Sequence, residues 1–202
     1  MMRNPVRRSR NIGKTQGGRV KDGRAYEKWS RVFTQDVWTK LSESGDKWQL
    51  LRENPSRDFY HPCKGPEYID VLQRLPMELT NNLRAIVLRR TPKLDAKLGV
   101  AARKRYFCVI LNSFPKSGEM IWSKPPTDRV RRHYEPWCKN WIEDDNKWIL
   151  RWDVEETRRY YLYHLFLHEL GHINQPWFNS VRRREEFAED FALSWARKLG
   201  KL

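Results

Sequence analysis

Residues 160–173 read YYLYHLFLHELGHI, and the rest of the chain is best understood outward from them. Outside the central motif and His164 the stretch is apolar on every side, and a helix of that kind is a buried one. It carries His168-Glu169-Leu170-Gly171-His172, an HExxH pattern. On a helix, positions i and i+4 lie one above the other on the same face, so two imidazoles there can converge on a single metal ion. Glu169 is then directed beside the open metal position, where it can take a proton from a water. The chain holds five His and fourteen Glu in 202 residues, so chance would supply roughly 0.008 such matches. Buried polar groups need partners, and a metal is one that suits this set; hydrogen bonding within the core is the other.

A zinc site of this type takes a third protein ligand. The histidines are His61, His133, His164, His168 and His172, so none follows the motif, and Gln175 and Phe178 stand where HExxHxxGxxH would place Gly and the third His. The next source of a ligand is the helical segment 181–199, which contains Arg184-Glu185-Glu186-Phe187-Ala188-Glu189-Asp190-Phe191-Ala192. At 100° per residue its apolar positions cluster around one face. Glu185 and Glu189 fall at the rim of that face, and Glu186 and Asp190 on the far side. Glu185 is the favoured ligand and Glu186 the runner-up. Glu189, one turn on, is placed to accept the free N–H of a ligand His and fix its tautomer. The rest of the acidic run reads as a solvated face.

The HExxH pattern followed by Glu185-x-x-Ala188-Glu189-x-Phe191-Ala192 resembles the gluzincins, zincin metallopeptidases whose third ligand is a Glu. It is similar to the active-site helices of lethal-factor-like and ImmA/IrrE-type peptidases. The resemblance covers about 45 residues, 157–200, and the spacing of 13 residues from His172 to Glu185 is short for the group. It implies an α+β, zincin-like fold, with a small, mostly antiparallel sheet packed on the HExxH helix and on a C-terminal Glu-bearing helix, and an edge strand that binds substrate in extended form. It also implies hydrolysis of peptide bonds, with Zn²⁺ held by His168, His172 and Glu185 and with Glu169 as general base. Zincins often add a Tyr or His that stabilises the oxyanion. Tyr161 and His164 are the foremost candidates here, with Tyr160, Tyr163 and His133 also open.

Three segments outside this quarter read as strands: 84–90, 105–114 and 147–152, rich in β-branched and aromatic residues. Segments 34–41, 46–52 and 67–75 read as helices, the last with Pro66 in its first turn and Pro76 beyond its end. Residues 115–126 read as a loop. Strands followed by two helices give an α+β order rather than alternating βαβ units.

Composition bounds the function classes. Hydrophobic residues at 39% and aromatics at 13% supply a core and exclude a wholly disordered chain. No run approaches the roughly 18 apolar residues of a membrane span. Cys63, Cys108 and Cys138 are too few and odd in number for a disulfide framework, which fits a reducing, cytoplasmic setting. The net charge is +15, and the first 31 residues hold ten basic against two acidic side chains. Residues 1–25 read as a flexible basic arm ahead of a single domain, 26–202. Arg7, Arg8 and Arg10 are its candidate contacts to nucleic acid or an acidic partner; a solubilising tail and a transit peptide are the other readings of it. Two functions therefore compete: a zinc-dependent peptidase acting on a protein or peptide, and a basic nucleic-acid-associated protein with a structural or vestigial zinc site. Glu169 separates them, because a purely structural site has no use for a base.

Overall fold

The computed structural model describes residues 48–105 and 107–202. The basic arm, with Arg7, Arg8 and Arg10, and the helix expected at 34–41 lie outside the described residues. The described chain opens with β1 (Gln49–Arg52), β2 (Phe59–Tyr60), α1 (Gly65–Gln73), α2 (Met77–Thr80), β3 (Ala85–Arg89) and α3 (Lys93–Leu98). It continues with β4 (Ala102–Arg105), β5 (Cys108–Asn112), β6 (Phe114–Pro115), β7 (Glu119–Trp122), α4 (Asp128–Tyr134), β8 (Trp141–Asp144) and β9 (Lys147–Arg151). The C-terminal quarter is α5 (Val154–Tyr160), a π-helical turn (Tyr161–Leu165), α6 (Phe166–Asn174) and α7 (Val181–Lys198). The class is mixed α+β with small sheets.

The principal sheet has the order β1-β3-β5-β4, with β1, β3 and β5 parallel and β4 antiparallel to β5. The expectation of a mostly antiparallel sheet is thus corrected, and so is the helix expected at 46–52, whose second half is strand β1. Parallel neighbours need crossover connections. That between β1 and β3 carries α1 and α2, and that between β3 and β5 carries α3 and β4. Parallel strands covered on both faces read as unbroken apolar runs. Ala85-Ile86-Val87-Leu88 and Cys108-Val109-Ile110-Leu111 are such runs, and all eight residues are buried.

A second sheet, β7-β9-β8, is wholly antiparallel. It takes up part of the segment expected to be loop. Its β8–β9 hairpin turns through Asp145 and Asn146, at φ 41° and 60°, the positive values a two-residue turn requires and Asp and Asn tolerate.

Helix α5 starts at Asp153, whose carboxylate accepts from the N–H of Glu156 while Glu156 caps in return. It runs through the π-helical turn into α6, forming one buried rod with Tyr160, Tyr161, Phe166, Leu167 and Leu170 almost wholly enclosed. Pro176 follows Gln175, whose extended backbone ends α6. Helix α6 packs on β4 and β5 on one side and on α7 on the other. The α7 contact is close because Gly171 faces Ala188. A Cβ built on Gly171 would stand 3.1 Å from Ala188 Cα and 3.2 Å from Phe191 Cβ. Ala188, Ala192 and Ala196 form the fully buried stripe of α7, and small residues there let the two backbones approach.

Candidate metal centre

The α6–α7 contact brings the expected ligands together. His168, His172 and Glu185 present ligand atoms that all lie within 4.8 Å of one another. His168 Nε2 stands 3.5 Å from one Glu185 carboxylate oxygen and His172 Nε2 stands 3.6 Å from the other. Donors at about 2.0–2.1 Å from a tetrahedral zinc are separated by about 3.3–3.4 Å, so the spacing suits such an ion with slight contraction. Two imidazoles and a carboxylate are also the donor set of three-ligand zinc sites that keep a position open. Glu186, the runner-up, points elsewhere: its carboxylate pairs with Arg182 Nε at 2.6 Å on the exposed side of α7.

The other ring nitrogens prepare both histidines. His172 Nδ1–H donates to Gln175 Oε1 at 3.0 Å, which leaves Nε2 unprotonated and aimed at Glu185. Gln175 comes from the chain break after α6 and had no assigned role in the sequence reading. His168 Nδ1 faces Glu189 Oε2 at 3.4 Å, the arrangement expected of Glu189. That nitrogen is buried, with Glu189 as its charged neighbour, and the pair falls short of hydrogen-bond geometry.

Electrostatics follow from burial and these neighbours. Burial disfavours charge on His168, but the carboxylates of Glu185 and Glu189 outweigh it and raise its pKa to about 9. Contact with His168 lowers the Glu185 carboxyl. The Glu189 carboxyl is buried, yet His133 and His168 hold it far below the usual carboxylate range. Burial lowers His172, which is thus neutral as a ligand must be. Two carboxylates converging on His168 form an anionic hollow that a cation would neutralise.

Glu169 is nearly enclosed, 8% exposed. Burial pushes its carboxyl up to about 7, near the value useful to a proton acceptor at neutral pH. The backbone of Lys104, in β4, opposes part of that rise. A cleft of about 500 Å³ opens here between β4 and the start of α7, lined by Arg103, Lys104, Glu169, Gln175, Arg184 and the three metal-ligating candidates. Strand β4 is one of the elements that sequence reasoning missed, because Ala102-Arg103-Lys104-Arg105 has no apolar alternation to mark a strand. Asp95 holds it: its carboxylate pairs with Arg103 at 2.6 Å and Arg89 at 3.3 Å and accepts from Asn112 Nδ2 at 3.2 Å.

The two foremost oxyanion candidates lie away from this cleft. Tyr161 is buried and its hydroxyl donates to the Asn112 carbonyl at 3.0 Å. His164 is fully buried behind His168, where it meets His133 and Glu189. Both expectations are corrected: the helix is buried all round, so most of its polar side chains face the core rather than the cleft. Tyr160 is likewise taken up by His133. The Lys and Arg residues that line the cleft are Arg103, Lys104 and Arg184. Among the described residues no helix is long and apolar enough to cross a membrane. No protein-family model matches this chain, and neither a curated protein nor a solved structure is found to be similar to it.

Proposed function

We propose that this chain is a zinc-dependent peptidase of zincin-like fold. The observation that carries the reading is the convergence of His168, His172 and Glu185 at the mouth of a cleft whose wall holds a buried Glu169. His168, His172 and Glu185 would hold the ion, which when bound supplies a Lewis acid for a carbonyl and acidifies water. Glu169, poised near neutrality in the cleft wall, accepts a proton at its carboxylate and passes it on to the leaving amine. Gln175 and Glu189 hold the imidazoles in the required orientation. Strand β4 ends its sheet among the described residues and forms one wall of the cleft, which suits a substrate lying extended along it.

The reading that makes the metal structural leaves Glu169 without a purpose, since a structural site needs no base near pH 7 beside an open cleft. The deciding experiment is cleavage of a peptide library by the full zinc-loaded chain and by Glu169→Gln. Turnover falls by about 10²–10⁴-fold while the variant keeps its zinc. Equal turnover in the two proteins would sink the assignment.

A further inference from the structure

Behind His168 lies a second cluster, of which the proposed reaction uses only Glu189. Helix α4 brings His133, the π-helical turn brings His164 and α7 brings Glu189, residues far apart in sequence. His133 Nδ1 is 3.2 Å from His164 Nε2 and 3.2 Å from Glu189 Oε2, and His164 Nε2 is 3.5 Å from the same oxygen. We propose that His133, His164 and Glu189 form a second divalent-metal site, suited to zinc, adjoining the first through Glu189.

Three observations support it. The first is size. The three separations bracket the roughly 3.3–3.4 Å expected between N and O donors at about 2.0–2.1 Å from a tetrahedral zinc. They fit that spacing more closely than those at the first site.

The second is proton arithmetic. His133 Nε2 lies 2.9 Å from Tyr160 Oη. A neutral His133 that donates there has its Nδ1 lone pair facing both His164 Nε2 and Glu189, and the one proton that His164 Nε2 can carry must then serve both acceptors. If the proton sits on Nδ1 instead, it must serve His164 and Glu189 together. His164 is fully buried, and its Nδ1 has no partner among the described residues. Its Nε2 points into the cluster, where a cation would take that lone pair together with those of His133 Nδ1 and Glu189, the His164 proton then resting on Nδ1. In that state the His133 N–H bonded to Tyr160 plays the part that outer hydrogen bonds play at metal-ligating histidines.

The third is mechanical. The His164 ring is stacked on Tyr160, with centroids 5.2 Å apart and planes 14° apart, and is flanked by Trp137. Aromatic packing thus holds the ligand in place without a metal. Helix α4 is different: none of its seven residues is fully buried. An ion held by His133 would staple it to the helical core, next to the cleft.

The test is the zinc content of the purified full chain after loading and removal of loose metal, measured on wild type, Glu185→Ala, His133→Ala and the double variant. The proposal expects two equivalents in wild type, one in each single variant and none in the double. A single equivalent that Glu185→Ala removes and His133→Ala keeps overturns the second site and leaves the first standing. A single equivalent with the opposite dependence overturns the first and upholds the second. Should His133→Ala fail to fold, cobalt(II) titration of Glu185→Ala decides by visible absorption: one equivalent supports the site, and none overturns it.

Discussion

At the scale of single residues, the candidate centre depends on which nitrogen of each imidazole is free. Glu189 serves His168 through Nδ1, so its loss frees that ring to rotate. Glu189→Gln, made in the His133→Ala background so that only the first site is read, should weaken zinc binding by about 10–100-fold in a competition against a chromophoric chelator. Equal affinity would show that Glu189 does not orient His168. The cysteines illustrate the opposite situation, reactive atoms made inert. Burial pushes the thiols of Cys63, Cys108 and Cys138 up to about 12. A raised thiol pKa removes thiolate at any lower pH, which leaves about one in ten thousand ionised at pH 8. Iodoacetamide at pH 8 should leave all three unmodified in the folded chain and alkylate all three in denaturant, as read by intact mass. Rapid labelling of the folded chain would contradict their burial.

Among the elements, the α6–α7 crossing matters most, because it alone carries Glu185 and Glu189 to the histidines. Gly171 sets that distance. Gly171→Ala gains about 1 kcal/mol of helix propensity, but the added methyl meets Ala188 backbone at 3.1 Å, and overpacking costs typically about 1–3 kcal/mol. The expected outcome is a net loss of about 1 kcal/mol in urea unfolding together with weaker zinc binding. A more stable variant that binds zinc as well as wild type would show that the crossing yields without moving the ligands. The π-helical turn carries His164 and leads into α6, which carries His168, and both histidines reach the same carboxylate on α7. Widened turns of this kind are frequent at functional sites.

For the molecule as a whole, the cleft exists because an antiparallel strand is tied onto the end of a parallel sheet. Asp95 makes that tie, and beside it burial lowers Arg89 to about 10. Asp95→Asn would remove the carboxylate that pairs with the largely buried Arg89. It should cost about 3 kcal/mol, most of it through Arg89, since the half-exposed Arg103 arm contributes little. Chemical denaturation measures this. A change under 0.5 kcal/mol, roughly what a substitution at an ordinary surface position produces, would mean that β4 is held by its ladder alone.

What the sequence determined by itself was local. A helix apolar on every face had to be buried, HExxH had to place two imidazoles on one side of it, and the rim positions of the last helix singled out Glu185 and Glu189 from four acids. Each of these rests on a 3.6-residue period, which a single segment carries in full. What only the tertiary structure decided was non-local. Parallel pairing of β1, β3 and β5 depends on crossovers, and their apolar runs do not state which neighbour they join. Strand β4 is charged at three of its four positions and becomes a strand because Asp95 and β5 hold it. His133 stands beside Arg129, Arg131 and Arg132, and folding sets it against His164 and Glu189, 31 and 56 residues away. Spacing along the chain carries no signal for such a meeting, because the packing of whole helices decides it.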